Sequence, residues 1–248
     1  MILRLMSYNI HFGGRGREER IAEVIRHCDP DIVVLQEATR TDIVGRLAEL
    51  THMEHHAARR DYSTAFLSRV EVESYAWHRP PGLQRAYIEI KLAGTSTVIF
   101  GVHLRATHSN LTERQRMREA RALLKSIKEH REGFRLLAGD FNTLAPGELL
   151  EMRRLPWRYR LLAMVLGGRV TYRTIQIMLD AGYLDAYRRF HTKPGFTFPA
   201  WNPHVRLDYV FVPSKYADRV RSCDVITGIP NLARATDHLP LVAEIAID

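Results

Sequence analysis

The sequence has few of the residues that stabilise secreted proteins or anchor proteins in membranes. Its 248 residues include only two cysteines, Cys28 and Cys223, and their separation matches no zinc-binding spacing. Two distant thiols are more typical of reduced, buried cysteines than of a disulfide framework. The longest apolar run, Leu161 to Leu166, is far too short to span a bilayer. We therefore expect a cytoplasmic protein without a membrane-spanning helix.

Linkers, low-complexity tracts and targeting signals are also missing. No stretch rich in proline, glycine and serine divides the chain, and no internal repeat is visible. The first ten residues have the pattern of a strand rather than that of a signal peptide. A length of 248 residues, 46% of them apolar, suits one large domain covering residues 1–248.

Basic residues outnumber acidic ones. The chain has 36 lysines and arginines against 28 aspartates and glutamates, a formal net charge of +8. This excess favours a polyanionic partner, either nucleic acid or an anionic membrane surface. An arginine-rich surface that contacts only solvent explains the charge equally well.

The apolar pattern predicts strands interleaved with helices. Strands are predicted at residues 2–10, 31–36, 65–67, 70–72, 86–92, 97–102, 134–138, 207–212, 219–225 and 241–247. Helices are predicted at residues 18–27, 41–50 and 112–130, the last opened by a capping box of Thr112 and Gln115. Propensity alone indicates only a mixture of α and β structure.

Polar groups occur in five short segments, each expected where an apolar strand ends. The segments are Ser-Tyr-Asn-Ile at 7–10, Leu-Gln-Glu at 35–37, Gly-Asp-Phe-Asn at 139–142, Arg-Leu-Asp-Tyr at 206–209 and Thr-Asp-His-Leu-Pro at 236–240. Side chains at the ends of paired strands converge at one rim of a sheet, however far apart they are in sequence. Oxygen-rich sites of this kind hold Mg²⁺. The segments therefore predict metal-assisted phosphoryl chemistry.

Glu37 is the strongest candidate for direct metal ligation. The strand before it is apolar up to Gln36, and burying an unpaired carboxylate there would be costly. We expect Asn9 and Asp237 to complete the environment of a Mg²⁺ or Mn²⁺ ion. The alternative for Asp237 is a turn-forming residue before Pro240.

A carboxylate–imidazole pair is expected from His238 and Asp208. Such a pair fixes the imidazole tautomer and raises its basicity, which suits a general base that activates water. Asp140 and Asn142 are two residues apart in a segment expected to be extended, so their side chains should point the same way. The sequence leaves open whether Asp140 or His238 is the base.

These segments in this order, with Gly-Val-His-Leu at 101–104 as a sixth, resemble the endonuclease/exonuclease/phosphatase family. The family includes pancreatic deoxyribonuclease, abasic-site endonucleases, sphingomyelinases and inositol-phosphate phosphatases. The resemblance covers residues 7–241 and implies an α/β (α+β) four-layer sandwich, with two mixed sheets packed face to face and helices outside. It also implies hydrolysis of a phosphoester by in-line attack of water, without a covalent intermediate.

The same resemblance implies roles for three residues. Asp140 would lie near the attacking water or the leaving group. Asn142 would orient Asp140 and touch the phosphate. His103 would donate to a phosphate oxygen or to the leaving group. The alternative for His103 is a hydrogen-bonded histidine at a strand end.

An insertion-like basic segment spans about residues 151–175. It contains six arginines and one acid, with tryptophan, tyrosine and leucine between them. Because it closely follows the Gly-Asp-Phe-Asn segment, we expect it to border the site, with substrate-binding candidates Arg153, Arg154, Trp157 and Arg158. Such residues can grip phosphates and stack on bases, but the composition also suits a helix in a membrane interface or a hairpin with solvated arginines.

A loop rich in aromatic residues and proline, residues 196–203, precedes Asp208. In several members of the family that the chain resembles, this loop shapes the substrate pocket. Trp201 and Asn202 are therefore further substrate-binding candidates. For Phe196 and Phe198 in the same loop, the alternative to a role in the pocket is packing in the core.

The sequence thus predicts a divalent-metal-dependent phosphodiesterase, and its basic, cytoplasmic character favours DNA as substrate and partner. The alternative is a phospholipid or small-molecule phosphoester hydrolase that binds an anionic headgroup. A catalytically silent binding module on the same fold is a third hypothesis, which the complete set of site residues disfavours.

Overall fold

The computed structural model describes residues 1–107, 109–129, 133–148 and 172–248. Its strands are β1 (Ile2–Asn9), β2 (Ile32–Gln36), β3 (His55–Ala57), β4 (Thr64–Ser68), β5 (Val72–His78), β6 (Tyr87–Leu92), β7 (Thr97–His103), β8 (Phe134–Asp140), β9 (Tyr183–Asp185), β10 (Asp208–Pro213), β11 (Val220–Val225) and β12 (Leu241–Ala246). Its helices are α1 (Glu18–Cys28), α2 (Thr41–Thr51), α3 (Asn110–Glu129), α4 (Thr174–Asp180) and α5 (Leu232–Ala235).

The strands form two six-stranded mixed sheets with matching topology. One sheet has the order β11-β12-β1-β2-β4-β3 and the other the order β5-β6-β7-β8-β10-β9. Each has one parallel pair at its centre, β1 with β2 and β7 with β8, flanked by antiparallel strands. The carboxyl ends of four central strands can therefore meet at one end of the molecule.

Alternating side chains of each strand face opposite layers. In β1, Leu3 and Leu5 lie in the core between the sheets, whereas Met6 and Tyr8 lie in a second core with α1 and α2. A third core joins the outer face of the second sheet to α3 and α4. Burial on both faces explains why the central strands are almost continuously apolar in sequence. The expected four-layer sandwich, with two mixed sheets and helices outside, is confirmed.

The start of α3 differs from the prediction. The helix begins at Asn110, and its capping pair is Ser109 with Thr112. The Thr112 amide donates to Ser109 Oγ at 3.1 Å, and the Ser109 amide donates to Thr112 Oγ1 at 3.0 Å. Thr112 therefore closes a reciprocal cap as the third residue of the helix, and the predicted box with Gln115 is wrong.

One predicted strand is displaced in the structure, and two short strands were not predicted. The strand predicted at residues 70–72 is displaced and runs from Val72 to His78. The short strands β3 and β9 were not predicted, because three residues carry too little periodicity to be recognised. Each is the outermost strand of its sheet, so it is hydrogen-bonded to a neighbouring strand along one edge only.

The scarcity of cysteines and of long apolar runs in the sequence has a counterpart in the structure. Cys28 and Cys223 are buried free thiols, as predicted. Within the described ranges, no helix is long and apolar enough to cross a membrane.

Candidate active site

The polar segments meet at one end of the sandwich. Asn9, His103 and Asp140 are the last residues of β1, β7 and β8, and Glu37 directly follows β2. Asp208, in contrast, is the first residue of β10, where it pairs with Asp140 in antiparallel register. The expectation that each segment ends a strand is thus wrong for Asp208, and also for residues 236–240, which precede β12. An antiparallel strand brings its beginning to the rim at which its neighbour ends.

Gly139 allows β8 to place Asp140 beside His103. Its φ is +155°, and a Cβ there would lie 1.9 Å from the carbonyl oxygen of Val102 in β7. Only glycine permits so close an approach of two backbones. The register that follows pairs His103 with Asp140 at the strand ends.

The centre of the site is a buried group of Asp140, Asp208 and His238. Their candidate ligand atoms all lie within 4.8 Å of one another. The Nδ1 atom of His238 and the Oδ2 atom of Asp208 are 2.8 Å apart, which forms the expected carboxylate–imidazole pair. On its other side, His238 Nε2 lies 3.9 Å from Asp140 Oδ2.

Burial and neighbouring charges shift the pKa values of this group. Burial disfavours the imidazolium form of His238, but the charge and hydrogen bond of Asp208, helped by Asp140 and Asp237, outweigh it and raise the pKa of His238 to about 10. Burial and the charge of Asp208 raise the pKa of Asp140 to about 7, against the opposing charge of His238. At neutral pH the structure therefore favours a cationic His238 beside an Asp140 that is close to its titration midpoint.

His103 lies on the opposite side of Asp140 and is neutral. Its Nε2 atom is 3.8 Å from Asp140 Oδ2, and its Nδ1 atom is hydrogen-bonded to the hydroxyl of Ser63. Burial, with the positive charges of Arg85 and His238, holds the pKa of His103 well below its usual value. If the Ser63 hydroxyl donates to Nδ1, the proton of the neutral ring is on Nε2 and points towards Asp140.

Asn9 connects Asp140 to Glu37. Its amide nitrogen lies 3.1 Å from Asp140 Oδ2 and 3.4 Å from Glu37 Oε1, and its carbonyl oxygen accepts the amide of His11 at 3.0 Å. In this arrangement Asn9 donates to two carboxylates. Its amide nitrogen therefore orients the carboxylates of Glu37 and Asp140, and the expected role of Asn9 as a metal ligand stays a prediction.

Asp237, the third residue assigned to the metal, is paired with a histidine. Its Oδ2 atom lies 3.0 Å from Nδ1 of His11. His11 was not predicted as a site residue, although its position two residues after Asn9 was a usable signal. The ion pair connects the segment before β12 to the loop after β1.

Asn142 takes a conformation that differs from the expected extended one. Its φ is +53°, in the left-handed region that asparagine tolerates better than most residues. Its amide donates to Asp140 Oδ1 at 2.8 Å, and its side-chain nitrogen donates to the carbonyl of Leu104 at 3.2 Å. The strand ends at Asp140, so the period of two no longer applies at Asn142. Asn142 thus holds Asp140 through its backbone.

The donor set suits a hard divalent cation. Asp208 Oδ1 is buried with no hydrogen-bond partner among the described residues, and the pKa of Asp140 is raised first by burial and then by the surplus negative charge of Asp208. Such a surplus is offset by a cation, and carboxylate oxygens are the ligands that Mg²⁺ and Mn²⁺ prefer. Glu37 adds a half-buried carboxylate that faces the adjoining cleft.

A cleft of about 530 Å³ opens beside Glu37 and His103. Both residues line it, together with an aromatic pair, Phe12 and Tyr62, and the guanidinium-bearing Arg79 and Arg85. Glu37 and His103 therefore face a pocket large enough for a small organic molecule or a nucleotide.

The aromatic loop, residues 196–203, packs against His238 of the buried group. Phe198 packs 5.0 Å from the His238 ring, and Trp201 lies 6.4 Å from Phe198 with 66% of its surface exposed. The amide of Ala200 donates to the Asp237 carbonyl at 2.7 Å, which ties the loop to the site. Trp201 and the exposed Asn202 are thus at the rim, where they remain candidates.

The candidates Arg153, Arg154, Trp157 and Arg158 lie outside the described residues. The residues on either side of this stretch are anchored near the site by Glu113 of α3. Glu113 accepts the Thr143 hydroxyl at 2.8 Å and the Arg173 and Thr174 amides at 2.8 Å each. Thr143 directly follows Asn142, so Glu113 ties Arg173 and Thr174 to the chain beside Asn142.

A family model described as the Endonuclease/Exonuclease/phosphatase family matches residues 6–238. The chain belongs to this family of phosphoester hydrolases. It is 25% identical over 274 residues to exodeoxyribonuclease III of Haemophilus influenzae, covering 98% of this chain and 99% of that protein.

Solved structures show the same fold. The 3′ phosphatase NExo from Neisseria, bound to a product DNA hairpin, has a TM-score of 0.71 and 18% identity, covering 98% of this chain and 99% of the other. An AP endonuclease from Archaeoglobus fulgidus also has a TM-score of 0.71, with 19% identity and 99% of both chains covered.

The sequence pattern did not indicate three residues near the site, namely His11, Phe12 and Ser63. Ser63 lies just before β4, outside the six segments from which the site was predicted. Its contact with His103 depends on the packing of one sheet against the other, which a single sequence does not reveal.

Proposed function

We propose that the protein is a divalent-metal-dependent phosphodiesterase that hydrolyses nucleic acid, with DNA as the favoured substrate. The observation that carries this proposal is the position of Asp140 between two imidazoles. Its Oδ2 atom lies 3.8 Å from Nε2 of His103 and 3.9 Å from Nε2 of His238, each at the rim beside Glu37. A base between two nitrogen donors suits in-line attack of water on a phosphodiester.

Electrostatics favour Asp140 over His238 as the general base. A base works best when its pKa lies near the working pH, and that of Asp140 is raised to about 7. With a pKa raised to about 10, His238 carries a proton at neutral pH. In this assignment Asp140 takes the proton of the attacking water. The imidazolium of His238 donates through Nε2 to the phosphate, where negative charge develops.

The surrounding residues hold these groups in place. Asp208 holds Nδ1 of His238 at 2.8 Å, the Asn142 amide holds Asp140 Oδ1 at 2.8 Å, and Asn9 holds Asp140 Oδ2 at 3.1 Å. His103, kept neutral, offers an Nε2–H group to the phosphate or to the leaving oxygen. The contacts are made by groups that are almost entirely buried, so little rearrangement would be needed during reaction.

Glu37 is the residue proposed to hold the metal from the cleft side, with Asp208 supplying a buried oxygen and Asp237 a further carboxylate. The chemistry that Mg²⁺ or Mn²⁺ supplies when bound is neutralisation of the non-bridging phosphate oxygens. Asn9 orients Glu37 of this set through the amide contact described above.

DNA is the favoured substrate for two reasons. The relatives and neighbours are described as an exodeoxyribonuclease, an AP endonuclease and a phosphatase bound to a DNA hairpin. The formal net charge of +8 also suits a polyanion. The phospholipid alternative gains no support from the described residues, since the segment that suggested it lies outside them.

The test is hydrolysis by the full chain with Mg²⁺, Mn²⁺ or EDTA. The substrates are plasmid, single-stranded and abasic duplex DNA, phospholipid vesicles and bis(p-nitrophenyl) phosphate. We expect metal-dependent cleavage of DNA and of the small diester. Glu19→Gln is a matched control for Glu37→Gln, because it removes an exposed carboxylate of α1 that pairs with Arg46. Cleavage of vesicle phospholipid but not of DNA would contradict the proposed substrate.

A further inference from the structure

We infer that the cleft beside Glu37 seats one unpaired nucleotide, with its base stacked on Phe12 and its flanking phosphate near Arg79 and Arg85. This subsite rests on the proposed nuclease function and deepens it. It makes the protein selective for single-stranded or frayed ends over fully paired ones. The inference starts from the unusual conformation of Phe12.

Phe12 is held in an unfavourable backbone conformation. His11 and Phe12 have φ values of +50° and +47°, so two successive residues with bulky side chains occupy the left-handed region. Each costs on the order of 1 kcal/mol or more in that region. Glycine would relieve this strain, and the chain uses glycine only at the next two positions, Gly13 and Gly14.

The strained loop is fixed by contacts to the catalytic residues. The Phe12 amide donates to Glu37 Oε2 at 2.7 Å. The guanidinium of Arg17 donates to the carbonyls of Ile10 and His11, and it also donates to Ala235. These bonds hold the Phe12 ring at the cleft although 80% of its surface is exposed. A single exposed aromatic residue is ordinary, but one held in a strained conformation on a metal-binding carboxylate indicates use in binding.

The remaining walls suit the other parts of a nucleotide. Tyr62 adds a second aromatic side chain, and the guanidinium of Arg59 lies 4.5 Å from its ring centre. Arg85 donates to the Leu104 carbonyl at 2.7 Å, next to His103, whose pKa its charge helps to lower. Arg79 also lines the cleft. Two guanidiniums in the cleft that His103 also lines are suited to a phosphate adjacent to the one that reacts.

The size of the cleft decides between an unpaired nucleotide and a duplex. A volume of about 530 Å³ lies in the range of small-ligand sites. A base can use the face of Phe12 inside this cleft only if it is free of its partner strand. Stacking on aromatic side chains tolerates any base, so the subsite predicts strand selectivity without sequence selectivity.

The test compares Phe12→Ala with wild type on one oligonucleotide, single-stranded or in a blunt duplex, and on bis(p-nitrophenyl) phosphate. We expect the ratio of kcat/KM for the single strand to that for the small diester to fall at least about fivefold. In EDTA, a 2-aminopurine base at the strand end should be quenched on binding wild type, and less so by Phe12→Ala. Phe12→Trp should restore both signals, whereas Phe12→Leu should not.

Phe190→Ala is the matched control, since Phe190 is 43% exposed and does not line the cleft. It should leave every ratio unchanged. If wild type cleaves oligonucleotides and Phe12→Ala keeps the wild-type ratio and quenching, the subsite is overturned while the proposed function stands. If wild type cleaves the small diester but neither binds nor cleaves oligonucleotides, the nucleic-acid function is overturned and the subsite with it.

Discussion

Replacing Asp208 by asparagine tests the central electrostatic argument. The substitution keeps the size of the side chain but removes the charge that pairs with His238 Nδ1 at 2.8 Å. Burial alone disfavours the imidazolium, and Asp208 is the largest of the influences that oppose burial. We therefore expect the pKa of His238 to fall from about 10 towards its ordinary value of 6.5, since only the charges of Asp140 and Asp237 would still oppose burial.

The size of the effect follows from that pKa. A rise from 6.5 to about 10 corresponds to about 5 kcal/mol in favour of the charged ring, at 1.36 kcal/mol for each tenfold change. If the imidazolium stabilises charge on the phosphate, its loss at neutral pH should lower kcat by about 10² to 10⁴. The loss should shrink as the pH is lowered, because the variant's His238 becomes protonated again.

The measurement is an NMR titration of the imidazole resonances, combined with kcat as a function of pH. Asp224→Asn is the matched control, because Asp224 also pairs with a histidine, His191, at 2.8 Å, but away from the site. It should leave kcat unchanged.

Two results would refute the reasoning. One is a His238 pKa that stays near 10 in Asp208→Asn. The other is a double variant, Asp208→Asn with His238→Ala, in which the two reductions in kcat are fully additive. When groups act as one unit, removing both lowers kcat little more than the worse single replacement does.

Three further predictions concern the metal, the stability and the basic segment. Glu37→Gln should remove metal-dependent hydrolysis and leave the melting temperature nearly unchanged; near-wild-type turnover at ordinary metal concentrations would contradict the assignment. Because the pKa of Asp140 in the folded protein is raised to about 7, its ionisation should destabilise wild type as the pH rises from 4 to 8 in EDTA. Over this range the free energy of unfolding of Asp140→Asn, measured in urea, should therefore rise relative to that of wild type by up to about 4 kcal/mol. An equal stability difference at both pH values would contradict the raised pKa. Replacing Arg153, Arg154 and Arg158 by glutamine should reduce the slope of log affinity against log salt by about one for each DNA phosphate that these arginines neutralise, and an unchanged slope would favour the lipid-interface hypothesis.

The residues that converge could be predicted because the signal was local. An apolar strand that runs into Glu37, or a Gly-Asp-Phe-Asn segment that ends one, marks a strand end from adjacent residues alone. The direction of a strand relative to its neighbours is not local. Asp208 and His238 do meet Asp140 at one rim, but Asp208 begins β10 and His238 precedes β12, whereas both were expected at strand ends.

The sequence by itself determined which chemical groups are available, because residue types and strand periodicity are written along the chain. Only the tertiary structure decided the protonation states of these groups and the directions in which they point. The pKa of Asp140 depends on the burial of its side chain in the folded protein and on the charge of Asp208, which is 68 positions away in sequence. The neutral state of His103, its contact with Ser63, and the hydrogen bond from the Phe12 amide to Glu37 arise in the same way. Each depends on distances and on solvent exclusion between segments, which exist only after the sheets have packed.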